Sequence, residues 1–152
     1  MLNNKKISIL IFSILIVFFS GCSTPSLSTK KVDTTYYTGG QIRSTFTWTD
    51  KTGKNGIKRT FGYEGETTSS VRIVNGVKDG IMTFYDDNGL VIKQTPYVNG
   101  FINGVEKEFY PNGDKMVTYT YVGNKKNGEA FSYYPSGEIC NRAIYKDGKL
   151  ID

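Results

Sequence analysis

The chain has 152 residues, 17 of them Gly, 2 Cys and no His, with 19 Lys and Arg against 14 Asp and Glu. That is the length of one ordinary domain. The missing His excludes a Ser-His-Asp triad, a Cys-His dyad and any His-ligated metal, and two Cys are too few for a Cys-rich zinc site.

Met1 to Lys6 is polar and ends in Lys5-Lys6, and Ile7 to Phe19 is apolar apart from Ser8 and Ser13. A charged start, a short apolar run and small residues read as a secretory signal over residues 1–21. The run falls short of the ~20 residues that a spanning helix needs. Without Lys5 and Lys6 the net charge falls from +5 to +3, too mild to argue for nucleic acid. Phe19-Ser20-Gly21-Cys22 resembles a bacterial lipobox, with Phe19 where Leu is usual. That resemblance implies a Cys22 acylated on sulfur as the new N-terminus, and two acyl chains anchor stably without a spanning helix. The expected location is the cell envelope, lipid-anchored to a membrane and facing away from the cytoplasm. Residues 22–35 are rich in Ser and Thr and read as the lipidated N-terminus and a flexible tether.

From there to residue 152 the sequence repeats every 24 residues. Gly56, Gly80, Gly104 and Gly128 mark one series, and Gly65, Gly89, Gly113 and Gly137 follow nine residues behind. Phe61, Tyr85, Phe109 and Tyr133 keep the same beat, as do Ile73, Tyr97, Tyr121 and Tyr145. A looser fifth copy lies upstream, around Tyr36-Tyr37-Thr38-Gly39-Gly40. Such periodicity takes precedence over local propensity. Each unit has two runs of alternating Val, Thr, Tyr and Phe, which read as strands. Asp87-Asn88-Gly89, Pro111-Asn112-Gly113 and Pro135-Ser136-Gly137 supply one turn. Asn99-Gly100, Asn103-Gly104, Asn127-Gly128 and Asp147-Gly148 are assigned to the other. A unit this short holds a hairpin and not a parallel crossover. The expectation is an all-β chain: an elongated single-layer antiparallel meander of about five 24-residue β-hairpins and about ten strands over residues 36–152. Pro96, inside one run, predicts a bulge or bend.

Phe109-Tyr-Pro-Asn-Gly113 and Tyr133-Tyr-Pro-Ser-Gly137, with Tyr97 to Gly104 as the following Tyr-x-x-Gly-x-x-x-Gly stretch, resemble the bacterial variant of the MORN repeat. The resemblance is strong over residues 80–152 and weakens at Phe61-Gly-Tyr-Glu-Gly65. It implies stacked β-hairpins in one elongated layer. An antitoxin or immunity role rests on family labels alone, and export argues against neutralising a cytoplasmic toxin.

The aromatic doublets put one ring on each side of the sheet. One ladder is expected to pack a core with Ile73, Tyr97, Tyr121 and Tyr145; the other, with Tyr37, Tyr110 and Tyr134, is the candidate binding row for a protein or a glycan. Gly62 and Asp86 fill the Tyr110 slot upstream, which places Tyr110 and Tyr134 on the exposed face and Phe109 on the buried one. Cys140 follows Ile92 and Met116 in an apolar slot and is expected to be buried and inert. The acidic residues, including Asp86-Asp87, Glu106, Glu108 and Asp114, form no convincing catalytic pair, and no metal or cofactor is called for. A non-catalytic binding module is the preferred function. The rival is an envelope enzyme that acts on glycan with carboxylates beside the Tyr ladder.

Overall fold

The computed structural model describes residues 30–152; the signal, Cys22 and most of the tether lie outside the described residues. The first strand opens at Val32, a few residues earlier than the expected boundary at 36. No helix occurs among the described residues. Thirteen strands form one antiparallel sheet: β1 (Val32–Tyr36), β2 (Ile42–Trp48), β3 (Gly56–Phe61), β4 (Thr67–Val74), β5 (Val77–Lys78), β6 (Gly80–Tyr85), β7 (Val91–Val98), β8 (Phe101–Ile102), β9 (Gly104–Phe109), β10 (Lys115–Val122), β11 (Lys125–Tyr133), β12 (Ile139–Lys146) and β13 (Lys149–Leu150). Ten of these are long, as the periodicity predicts, and three are two-residue pieces. Each long strand pairs with the next long strand in the chain, while β5 and β8 pair back onto β4 and β7, so the sheet is a meander.

Apart from the loop of residues 49–55 between β2 and β3, two kinds of turn alternate. The first closes five times with one geometry: Gly40, Gly65, Gly89, Gly113 and Gly137 each donate to the carbonyl three residues back. All five have φ between 80° and 91°, the left-handed region that glycine enters without a steric cost. A type I turn followed by a left-handed glycine is a favoured three-residue hairpin loop, and Pro111 and Pro135 occupy the position where such a turn favours proline. The second turn has two residues, both at positive φ: Asn75-Gly76, Asn99-Gly100, Gly123-Asn124 and Asp147-Gly148. This type I′ geometry matches the twist of the strands it joins.

Asn103-Gly104 and Asn127-Gly128 are not turns. Asn127-Gly128 lies inside β11, and Asn103-Gly104 at the junction of β8 and β9, each after a type I′ turn. Tyr97 pairs with Ile102 in β8, whereas Gln94 pairs with Lys107 in β9, so two extra residues bulge out between them. Gly80, Gly104 and Gly128 hold these bulges at φ 99°, 115° and 111°. A bulge increases twist and re-aims the strand. Asn103 N donates to Pro96 O there, and a Cβ on Gly104 would stand 3.2 Å from Pro96 Cγ. The irregularity expected at Pro96 thus falls in the strand opposite, where the ladder is already broken and a missing N–H is tolerated.

No closed core forms. Val71 and Ala130 are the only buried apolar side chains among the described residues, at 4% and 5% exposure. Ile73, Tyr97, Tyr121 and Tyr145 share one face but remain half-buried, each opposite a glycine: Gly56, Gly80, Gly104 and Gly128. A large side chain across from a glycine covers backbone that would otherwise be bare. The expected core is therefore a half-covered ribbon, because a single layer has nothing to pack its face against. Adjacent units are further tied at the type I′ turns: Gly76, Gly100, Asn124 and Gly148 donate to the carbonyls of Lys54, Lys78, Ile102 and Lys126.

Because contacts run between neighbouring units, stability approximates a sum over units and interfaces. Deleting residues 104–127 joins Asn103 to Gly128 and keeps the register, so a folded, less stable β protein is expected. Deleting 104–115 removes half a hairpin and is expected to unfold the downstream strands. Circular dichroism with urea titration of both deletions distinguishes a 24-residue unit from any other.

Candidate interaction surfaces

Tyr37, Tyr110 and Tyr134 do not make one open row. The Tyr37 hydroxyl donates to Phe61 O at 2.9 Å, and the Tyr110 hydroxyl to Tyr133 O at 2.7 Å. Both rings are half-buried, and both phenols bridge to the aromatic slot of the next unit. The slot that looked permissive is a clamp where it holds Tyr. Where it holds Asp86, the carboxylate instead closes its own turn, accepting from Asn88 N at 3.0 Å and Leu90 N at 2.8 Å. At Gly62 the Glu66 side chain fills the space. Tyr134 is exposed, at 52%. Phe109 is only half-buried.

Cys140 is exposed and free, contrary to the buried position expected of its apolar slot. The register explains this. Ser132 pairs with Asn141 and Tyr133 with Ile139, so Cys140 is the unpaired residue of a bulge. Ile92 is the same residue between Val91 and Lys93 and is 43% exposed. An apolar residue in a bulge does not mark a core.

The acidic residues expected to be solvated include a buried one. Glu106 is 4% exposed, a feature the sequence reading missed. Its Oε1 lies 3.0 Å from Lys93 Nζ, and its Oε2 accepts from Thr95 Oγ1 at 2.7 Å. The same ammonium reaches Glu108 Oε1 at 3.3 Å. Burial alone would lower the Lys93 pKa, but the hydrogen bonds and charges of Glu106 and then Glu108 outweigh it and raise the pKa above the usual value. Burial, followed by the charge of Glu106, also raises the Tyr121 phenol. Glu106 and Glu108 are thus bound to one lysine in an ion-pair network that joins β7 and β9.

The opposite face carries the largest cluster of bare apolar side chains. Cross-strand pairing puts Val74 with Val77, Ile81 with Pro96, Val98 with Phe101 and Val105 with Thr120 on that face. Strand alternation adds Val122 beside Thr120. Phe101 is 57% exposed, Val122 53% and Ile81 51%. Arg72 with Asp79 borders this patch on one side, and Arg142 with Glu129 on the other. Contiguous apolar surface with a polar rim marks an interaction site more often than a solvated face. The patch keeps the 24-residue beat, with Val74, Val98 and Val122, Val77 and Phe101, and Ile81 and Val105 each one unit apart.

An open sheet of tandem hairpins, half-covered on both faces, is the class of protein defined by this geometry. Three stretches, residues 78–99, 102–122 and 126–150, match the MORN repeat variant, and they cover the units where the turns and bulges are most regular. Comparison with curated proteins gives no match.

Lys93→Met is expected to cost about 3 kcal/mol, since it strands a buried carboxylate. Glu108→Gln, which removes a part-exposed partner, is expected to cost less than about 1 kcal/mol. Urea midpoints at neutral pH test the order. Folded-state pKa values raised above 10.5 for Lys93 and 10.0 for Tyr121 give stability that is complete below those values and lost as pH climbs through them. The gap between parent and Lys93→Met is therefore expected to narrow above pH 10.5. Tyr110→Phe, which loses only the bond to Tyr133 O, is expected to cost about 1 kcal/mol.

Proposed function

We propose that the chain is a membrane-anchored bacterial lipoprotein whose repeat sheet is a non-catalytic module that binds a protein outside the cytoplasm. The observation that carries this reading is the apolar patch around Ile81, Phe101, Val105 and Val122, which the single layer leaves uncovered. MORN repeats commonly serve as interaction modules, which supports the same reading. Glu106 and Glu108 are held by Lys93 and give a glycan-cleaving mechanism no free acid-base pair to start from. The anchor rests on the sequence alone, through Cys22 and the segment before it.

The anchor is tested by Cys22→Ala, which is expected to abolish fatty-acid labelling and block processing at that site. Label retained in the variant refutes it. The binding surface is tested by Phe101→Asp with Val105→Asp. Both sites are exposed, so the thermal midpoint should stay close to the parent's. Crosslinking in intact cells is expected to join the parent to a partner and to lose that product in the double variant. A product that persists in the double variant refutes the patch as the contact surface.

A further inference from the structure

The last hairpin departs from the other units in one place. On the face that carries Tyr97 and Tyr121, one cross-strand pair recurs in every unit: Lys58 with Val71, Met82 with Thr95, Glu106 with Tyr119, and Ala130 with Ala143. Both members shrink to alanine only in the last. The lost side-chain volume leaves a hollow of about 140 Å³. Its floor is Ala130 and Ala143, and the rings of Tyr119 and Tyr145, in edge-to-face contact with centroids 6.2 Å apart, border it together. Ser132 and Asn141, paired across β11 and β12, supply a hydroxyl and an amide at one end. Lys126 Nζ stands 3.3 Å from the Tyr119 centroid and 5.2 Å from that of Tyr145. It has no carboxylate within 4.0 Å among the described residues, as holds for most of the lysines, and Lys78 stands over Tyr97 in the same way two units upstream.

The chemistry of these groups selects a ligand. Tyrosine faces and alanine methyls suit the C–H face of a saturated ring. Ser132 and Asn141 offer donors and acceptors for ring hydroxyls. The uncompensated ammonium adds a preference for a negative charge beside the ring. The hollow is well below the 300–1,000 Å³ of a drug-sized site, so it takes one ring and leaves the rest of the ligand on the open sheet. We infer that the last hairpin binds one acidic sugar residue of a polysaccharide, its ring in the Tyr119–Ala130–Ala143–Tyr145 hollow and its carboxylate at Lys126. The site is on the face opposite the apolar patch, so a protein and a polysaccharide can be held together. It relies on the envelope placement proposed above only for where such a sugar is met.

The full-length chain in detergent micelles is titrated by calorimetry with trigalacturonate, and with cellotriose as the uncharged control. Trigalacturonate is expected to bind at least tenfold more tightly than cellotriose. Lys126→Gln is expected to remove that difference. Ala130→Met is expected to abolish binding of both trimers while melting with the parent, because Met82 already fills the same slot two units upstream. Equal affinity for the two trimers, unchanged binding by Ala130→Met, or no heat from either trimer overturns the inference. Binding in micelles does not require the lipid on Cys22, and lipid labelling does not require the sugar, so failure of one is distinguishable from failure of the other.

Discussion

A sheet with no second layer must satisfy its backbone sideways, and this constraint governs the molecule. Each inner long strand finds one partner in its own hairpin and the other in a neighbouring hairpin. Any residue that spoils the ladder is felt in two units at once. That is why irregularity is rationed to fixed positions: a left-handed glycine at every three-residue turn, a positive-φ pair at every two-residue turn and a glycine bulge between them. The bulge breaks the ladder on one strand and twists the next hairpin into position. The bonds from Gly76, Gly100, Asn124 and Gly148 to the unit before then lock that position.

With so little buried apolar surface, polar contacts carry a share of cohesion that a packed core would normally supply. Glu106 is the clearest case. A carboxylate at 4% exposure is costly unless it is fully paired, and Lys93 and Thr95 pair both of its oxygens. The Tyr37 and Tyr110 phenols add bridges at the other end of the hairpins. Variation between units therefore has two origins. Some slots change because neighbours compensate, as Asp86 and Glu66 do around the clamp position. Others change without compensation, as Ala130 and Ala143 do, and those leave space.

The sheet, its meander order and its ten long strands were legible because glycine spacing and strand alternation are properties of the chain itself. Which Asn-Gly pairs turn and which bulge was not. Asn99-Gly100 and Asn103-Gly104 have the same two residues, yet both members are at positive φ in the first and only the glycine in the second, and it is pairing with the strand opposite that separates them. Cys140 was misplaced for a related reason: period-two alternation says nothing of a residue that a bulge removes from the count. Tyr110 differs from its expected exposure because a slot that also holds Gly and Asp is not thereby free: each residue there solves the turn in its own way. The burial of Glu106 depends on Lys93 reaching it from another strand, and no local pattern records that reach.

The inter-unit ladder also sets how the molecule bears load. The units follow one another across the strands, so a pull between the first unit and the last runs along the hydrogen bonds and not along the chain. Such a load falls on one strand boundary at a time, and the bonds of that boundary open in turn. At the boundaries of β4 with β5 and β6, and of β7 with β8 and β9, two residue pairs stand on either side of the bulge, so each boundary divides into two short ladders. The sheet is therefore a soft spacer: it lengthens by releasing hairpins one by one, and each released hairpin keeps the two turns from which it can close again.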